Sequence, residues 1–205
     1  MRGRPRAGDQ PRADAVLSAA SQVFLEVGYA AASIDTVAAR ARASKSTIYS
    51  TFGGKEGLFL AVVEAAVARH RPAELGPDVD ELAQELVLTS FLTGLLDALL
   101  LPESLALLRV VAAESARTPA LGRRVFAALT GAGAAQLSGY FERATTAGRL
   151  QVERPDLAAF QLLGLVKEAL FWPSLLGVEV PVVDADRDTV ISEAVMSFLS
   201  DRRPP

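Results

Sequence analysis

Apolar residues recur at three- and four-residue spacings along nearly the whole chain, and strand-like alternation is missing outside the short stretch Val178 to Val183. A sequence with that period throughout buries its apolar faces by packing helix on helix, so an all-α fold is expected. Half of the 205 residues are hydrophobic and 22% are charged, enough to fill one large core or two small ones and too apolar for a disordered chain.

With no cysteine and a single histidine, His70, the chain offers no disulfide framework, thiolate metal site, iron–sulfur cluster or histidine-based metal site. It has no glycine-rich phosphate loop and no catalytic constellation, so no catalytic residue, cofactor or metal is assigned and a non-enzyme is expected. The longest uncharged stretch, Val125 to Phe141, holds Gln136, Ser138 and three glycines, which does not suit a membrane span. Arg2 to Arg6 leads into no apolar run and is not read as a secretion signal. A soluble, cytoplasmic protein without membrane contact is therefore expected.

Capping residues divide the helical pattern into about nine helices. The first runs near 11–27, with Val16, Leu17, Ala20, Phe24 and Val27 on one stripe and Gly28 as its end. Ser33 caps a short second helix over 34–41, and Ser44 a third over 45–52. Gly53 and Gly54 break the chain before a fourth helix from Lys55 to Arg71. Two prolines and a glycine between Pro72 and Pro77 mark the most plausible domain boundary. Further helices are expected near 79–100, 103–115, 119–148, 156–172 and 185–200, with Asp156 and Asp184 capping the last two and Pro173 stopping the one before it.

The charge divides at the same place. Residues 1–71 carry ten basic and six acidic side chains, a net of +4, whereas the remainder carries eleven and eighteen, a net of −7. A basic first third on an acidic remainder suits contact with a polyanion.

Two short helices joined by a tight turn have the form of a helix-turn-helix. At about 100° per residue, an inward Ile48 places Phe52 beside it, to pack on Val37 and Phe24. Ser46 and Ser50 then face outward at about 160° and 200°, flanked by Thr47 and Tyr49, with Lys45 at the N-terminal end. Such a small polar face lets a helix approach base edges and phosphates in the major groove of double-stranded DNA.

The segment from Ser33 through Ile-Asp-Thr-Val-Ala-Ala-Arg-Ala, followed by Ser44-Lys-Ser-Thr-Ile-Tyr-Ser-Thr-Phe-Gly-Gly-Lys-Glu-Gly-Leu-Phe59, resembles the DNA-binding domain of the TetR/AcrR family of bacterial transcriptional regulators. The resemblance covers roughly residues 11–59. It implies a homodimer with a three-helix DNA-binding head and a helical C-terminal domain that binds a small-molecule effector. The corresponding division is a basic arm over 1–10, a head over 11–54, a connecting helix over 55–71 and a ligand-binding and dimerisation domain over 72–205. Carried over by position, Ser33 and Thr36 lie near phosphates, Lys45, Ser46 and Thr47 enter the groove, Tyr49 contacts the backbone and Lys55 anchors another phosphate; Ser44 and Ser50 complete the candidate DNA-binding set. Where the family usually has glycine in the turn this chain has Arg42, which either adopts left-handed geometry or alters the turn. Thr51 stands where an aromatic or histidine is common. Arg2, Arg4 and Arg6 are either a minor-groove arm or a solvated tail.

Beyond the boundary, helices apolar on more than one face either fill a solid core or line a cavity. The candidate ligand-binding residues are Phe91, Arg109, Phe126, Tyr140, Gln161, Lys167, Phe171 and Trp172, with Glu114, Glu168 and Phe141 nearby in the pattern. Lys167 has Leu163, Leu170 and Phe171 as helical neighbours, so its ammonium must find a partner or snorkel outward. Ala158, Ala159, Gly164 and Ala169 allow close helix approach, and Ile191, Ala194, Val195 and Phe198 form a stripe; these are the expected dimer surfaces. The function expected is a repressor released from a palindromic operator by a small molecule, whose binding shifts the fourth helix. His70 is a hinge contact or a surface residue of that helix. The rival is a helical dimeric protein-interaction module without DNA binding, suggested by Arg42 and the net charge of −3 and opposed by the joint presence of Lys45, Tyr49 and Lys55.

Overall fold

Ser33 and Ser44 each take an extended conformation and accept a hydrogen bond from the backbone N–H three residues on, at Thr36 (3.1 Å) and Thr47 (3.0 Å). Each cap thus satisfies a donor that the first helical turn leaves unpaired. These caps open α2 (Ile34–Ala41) and α3 (Lys45–Phe52) of the computed structural model, which describes residues 10–68, 74–178 and 186–203. Before them runs α1 (Gln10–Ala31), broken at Gly28, whose φ of 74° and ψ of 172° only glycine adopts readily; the chain then adds one more turn to Ala31. After them comes α4 (Lys55–Ala68).

The remaining elements are α5 (Gln84–Leu99), α6 (Pro102–Ser115), α7 (Pro119–Phe126), α8 (Ala132–Thr146), α9 (Pro155–Val166), α10 (Trp172–Leu176) and α11 (Arg187–Ser200). A π turn at Ala127–Gly131 joins α7 to α8, and another at Lys167–Phe171 joins α9 to α10. Counted as continuous rods, these give nine helices and no strand among the described residues. The all-α expectation holds.

Four boundaries differ from the sequence reading, for local reasons. The helix expected from 79 begins at Gln84, because Pro77–Val79 forms a 3₁₀ turn and the Asp80 carboxylate is taken by Arg143. Asp156 is no cap: Pro155 occupies the first turn and Asp156 pairs instead with Arg154, which holds its carboxyl down at about 2. Pro173 does not stop its helix, since the π turn ahead of it re-phases the backbone and the proline sits in the first turn of α10. The cap of α11 is Asp186, which accepts from the Thr189 N–H at 2.8 Å. The arm Arg2 to Arg6, His70, Asp184 and most of Val178 to Val183 lie outside the described residues.

The helices form two compact units. The first comprises the chain through Ala66 together with Ala106–Phe126. Val16, Ala20, Val23 and Phe24 of α1, Val37 of α2, Ile48 of α3 and Leu58, Phe59 and Val62 of α4 are all buried in it. Full burial of a side chain the size of Ile48 or Phe59 stabilises by roughly 2 kcal/mol. The Phe24 and Phe59 rings meet edge-on at 4.7 Å, and Tyr29 closes the cluster at 5.2 Å from Phe59. Arg124 of α7 reaches Glu56 of α4 at 2.9 Å.

The second unit is Val67–Leu105 with Ala127 onward. Its α8 packs on α9, and α11 lies against both α5 and α9. Arg143 gathers the chain before α5, donating to the carbonyls of Leu75 (2.7 Å) and Gly76 (3.2 Å) as well as to Asp80. The stripe expected to meet a second copy is spent here: Ile191, Ala194, Val195 and Phe198 are buried within the chain, as are Ala158 and Ala159. The apolar side chains that α9 leaves exposed are Leu157, Phe160 and Leu165, and Gly164 beside them has nothing within 4 Å of where a Cβ would stand.

Candidate nucleic-acid interface

The third helix has one fully buried side chain, Ile48, with Phe52 half-buried beyond it. Lys45, Ser46, Thr47, Tyr49, Ser50 and Thr51 are all exposed, so the polar face read from the helical step is present in the fold. Ser33, Thr36 and Ser44 are exposed as well. The two caps have the same form, each serine hydroxyl lying 2.8 Å from the threonine hydroxyl three positions on, Thr36 or Thr47. Ser33 and Ser44 therefore set helix starts, and the paired hydroxyls stand beside the positive ends of two helices, where phosphate is favoured.

Two basic groups have partners that the sequence did not announce. Lys45 pairs with Asp35 at 2.7 Å, both side chains more than half exposed. An exposed pair of this kind contributes less than about 1 kcal/mol and opens easily for a phosphate. Lys55 donates to the Ala30 carbonyl at 2.9 Å and sits 4.6 Å above the Tyr29 ring. Burial lowers its pKa, opposed by the field of Glu114. It ties the end of α1 to the start of α4, so its first role is to hold the head together. Arg40 is likewise engaged, its guanidinium bidentate on Glu26 at 2.7 and 2.8 Å, which joins α2 to α1 and holds the Glu26 carboxyl below its usual range.

The turn between α2 and α3 resolves the question posed by Arg42. It adopts φ 52° and ψ 39°, the only non-glycine residue with positive φ among the described residues. Left-handed backbone costs an L-residue with a Cβ about 1–2 kcal/mol, of which glycine is spared most. Arg42→Gly is expected to stabilise the fold by about 1 kcal/mol, read as a rise of roughly 3 °C in Tm. A fall in Tm would mean that the arginine side chain contributes more than its backbone costs.

Gly57 fixes how α3 ends against α4. A Cβ there would lie 1.9 Å from the Phe52 carbonyl oxygen, so the residue is glycine because the two backbones touch. Residues 16–62, which contain all of this geometry, match the family model for the tetR family of bacterial regulatory proteins, and residues 86–201 match that for the C-terminal domain of AefR-like transcriptional repressors. The chain belongs to the TetR family. It is a DNA-binding transcriptional regulator of that class. The uncharacterized HTH-type transcriptional regulator YdeS of Bacillus subtilis is 35% identical over 98 residues, 45% of this chain and 47% of YdeS, so the match spans about half of that relative. A TetR-family transcriptional regulator from Mesorhizobium loti has the same fold at a TM-score of 0.79, with 25% identity over 97% of this chain and 100% of that one. The flavonoid-responsive regulator FrrA follows at 0.76, with 31% identity over 95% of this chain and 98% of that one.

The candidate ligand residues of the TetR-family C-terminal part are divided between the two units. Arg109, Glu114 and Phe126 belong to the first unit and the others to the second. Phe91, Tyr140, Phe141 and Phe171 are buried, whereas Phe126 and Trp172 are 58% and 47% exposed. Arg109 and Glu168 are exposed, and Gln161, also exposed, accepts from Arg202 at 3.1 Å. Glu114 is buried and accepts from the Thr118 hydroxyl at 3.1 Å. Of these residues only Lys167 lines a small enclosed cavity of about 20 Å³, whose other walls include Leu95, Leu99, Leu129, Leu163 and Thr130. Thr130 escaped the sequence reading although it is the only polar side chain between Arg124 and Gln136. That isolation was the available signal.

Proposed function

We propose that the protein is a ligand-responsive repressor, a homodimer that occupies a palindromic operator and leaves it when a small-molecule effector binds among the C-terminal helices. The observation that carries this is α3: one side chain buried, the rest a small polar face with Lys45 at its start and Tyr49 on its flank. The match to the C-terminal domain of AefR-like repressors supports repression. Leu157, Phe160 and Leu165 favour a second copy as partner, because three large apolar side chains about half exposed on one helix are costly in water. The rod Pro155–Leu176 is long and apolar enough to cross a membrane by length and composition alone, but its buried residues pack on α8 and α11, and a cytoplasmic dimer accounts for its exposed side.

Effector control follows from how α4 is tied. With Gly57 against the Phe52 carbonyl, a shift of the start of α4 toward α3 pushes α3 with it, and Lys55 on the Ala30 carbonyl ties the same turn to α1. A ligand that binds better to a state with α4 displaced then lowers operator affinity by the ratio of its two affinities. The test is footprinting of the DNA flanking the protein's own gene at fixed salt. Two protected half-sites about 34–36 Å apart, or a multiple of that spacing, are expected. Protection no stronger than on unrelated DNA would overturn the reading.

A further inference from the structure

Lys167 is an ammonium in apolar surroundings. Its Nζ lies 3.3 Å from the Thr130 hydroxyl and 5.5 Å from the centre of the Phe171 ring, and no carboxylate among the described residues forms an ion pair with it. Leu95, Leu99, Leu129 and Leu163 close the cavity around it. Burial disfavours its charged form, with no opposing contribution from an acid. Lys167 is half-buried, and a cation partly withdrawn from water without an anion costs free energy that an apolar residue of the same shape would not. The two polar groups also come from the two π turns, Thr130 from Ala127–Gly131 and Lys167 from Lys167–Phe171. Turns of this kind interrupt the α ladder and recur at functional sites.

We propose that the effector is an organic monoanion, with its carboxylate held between Lys167 and Thr130 and an aliphatic body among the leucines. This rests on the reading that the C-terminal helices bind an effector, and it names that effector's class. At about 20 Å³ the cavity has room for about one water molecule, so an aliphatic body has to part the leucine walls as it enters. Lys167 has donors to spare, since one bond to Thr130 leaves two N–H groups for a carboxylate. The leucine walls select a flexible chain over a polar or multiply charged ligand.

The experiment is calorimetry on the full-length protein with straight-chain carboxylates from hexanoate to tetradecanoate, each paired with the neutral alcohol of the same length. At least one acid is expected to bind at least about tenfold more tightly than its alcohol, as a charge-assisted pair in an apolar site requires. Lys167→Met is expected to fold with an equal or higher Tm and to lose that preference. Failure of every acid to bind below millimolar concentration, equal binding of acid and alcohol, or unchanged acid binding by Lys167→Met would each overturn the proposal. Operator affinity is measured with the same acid. If the acid binds through Lys167 but DNA is not released, the site stands and the repressor-release reading fails. If DNA is released with no dependence on Lys167, the release reading stands and the site fails.

Discussion

Replacing Lys45 and Tyr49 together with alanine is expected to lower operator affinity by roughly a thousandfold while leaving the fold intact. Both side chains are exposed, and the ion-pair partner of Lys45 among the described residues is an exposed Asp35, so the cost to stability is small. A lost backbone or base contact costs about 1 kcal/mol or more, and a dimer loses each contact twice, which gives about 4 kcal/mol in all. On the proposed dimeric reading, with Lys45 of each head at a phosphate, the slope of log affinity against log salt is also expected to fall by roughly 2. Anisotropy titrations at several salt concentrations read both quantities. An affinity within a few-fold of the native protein would place the interface elsewhere.

The second large effect is expected from Gly57→Ala. Ordinary Cβ contacts stay beyond 3.0 Å, so a methyl 1.9 Å from the Phe52 oxygen must drive α3 and α4 apart by more than an ångström. Neither side yields cheaply, since Ile48 holds α3 and Leu58 and Phe59 hold α4, all fully buried. Overpacking of this kind costs about 3 kcal/mol, and the displaced α3 no longer fits the groove. Lower Tm together with lost operator binding is expected. A variant with native Tm and native affinity would show that the two helices separate freely, which would also remove the argument that α4 carries α3.

The head was legible in the sequence because its signals are local. Ser33 and Ser44 cap the helices they precede, Gly28 breaks the helix it follows, and with Ile48 buried, Ser46 and Ser50 are exposed where the helical step placed them. The partners of Lys45 and Lys55 were not legible, since Asp35 and the Ala30 carbonyl come from other elements and no periodicity points to them. In the C-terminal part, helical spacing marked Lys167 by its apolar neighbours Leu163, Leu170 and Phe171, while nothing comparable ranked the other candidates. Aromatic residues look alike in sequence whether they end at 1% exposure, as Tyr140 does, or at 58%, as Phe126 does. The stripe from Ile191 to Phe198 was read correctly as apolar and given to the wrong neighbour, because a stripe says that it is covered and not by which chain.

The π turns at 127–131 and 167–171 bear on how this chain is lined up with others. A π turn holds one residue more than the α turn it replaces, so a relative with an uninterrupted rod is one residue shorter at that point while every flanking side chain keeps its place. A single-residue gap in the middle of a helix ordinarily signals a misplaced alignment. At these two positions it is instead the trace that gain or loss of the bulge leaves behind, and closing it would rotate everything downstream by about 100° onto the wrong face.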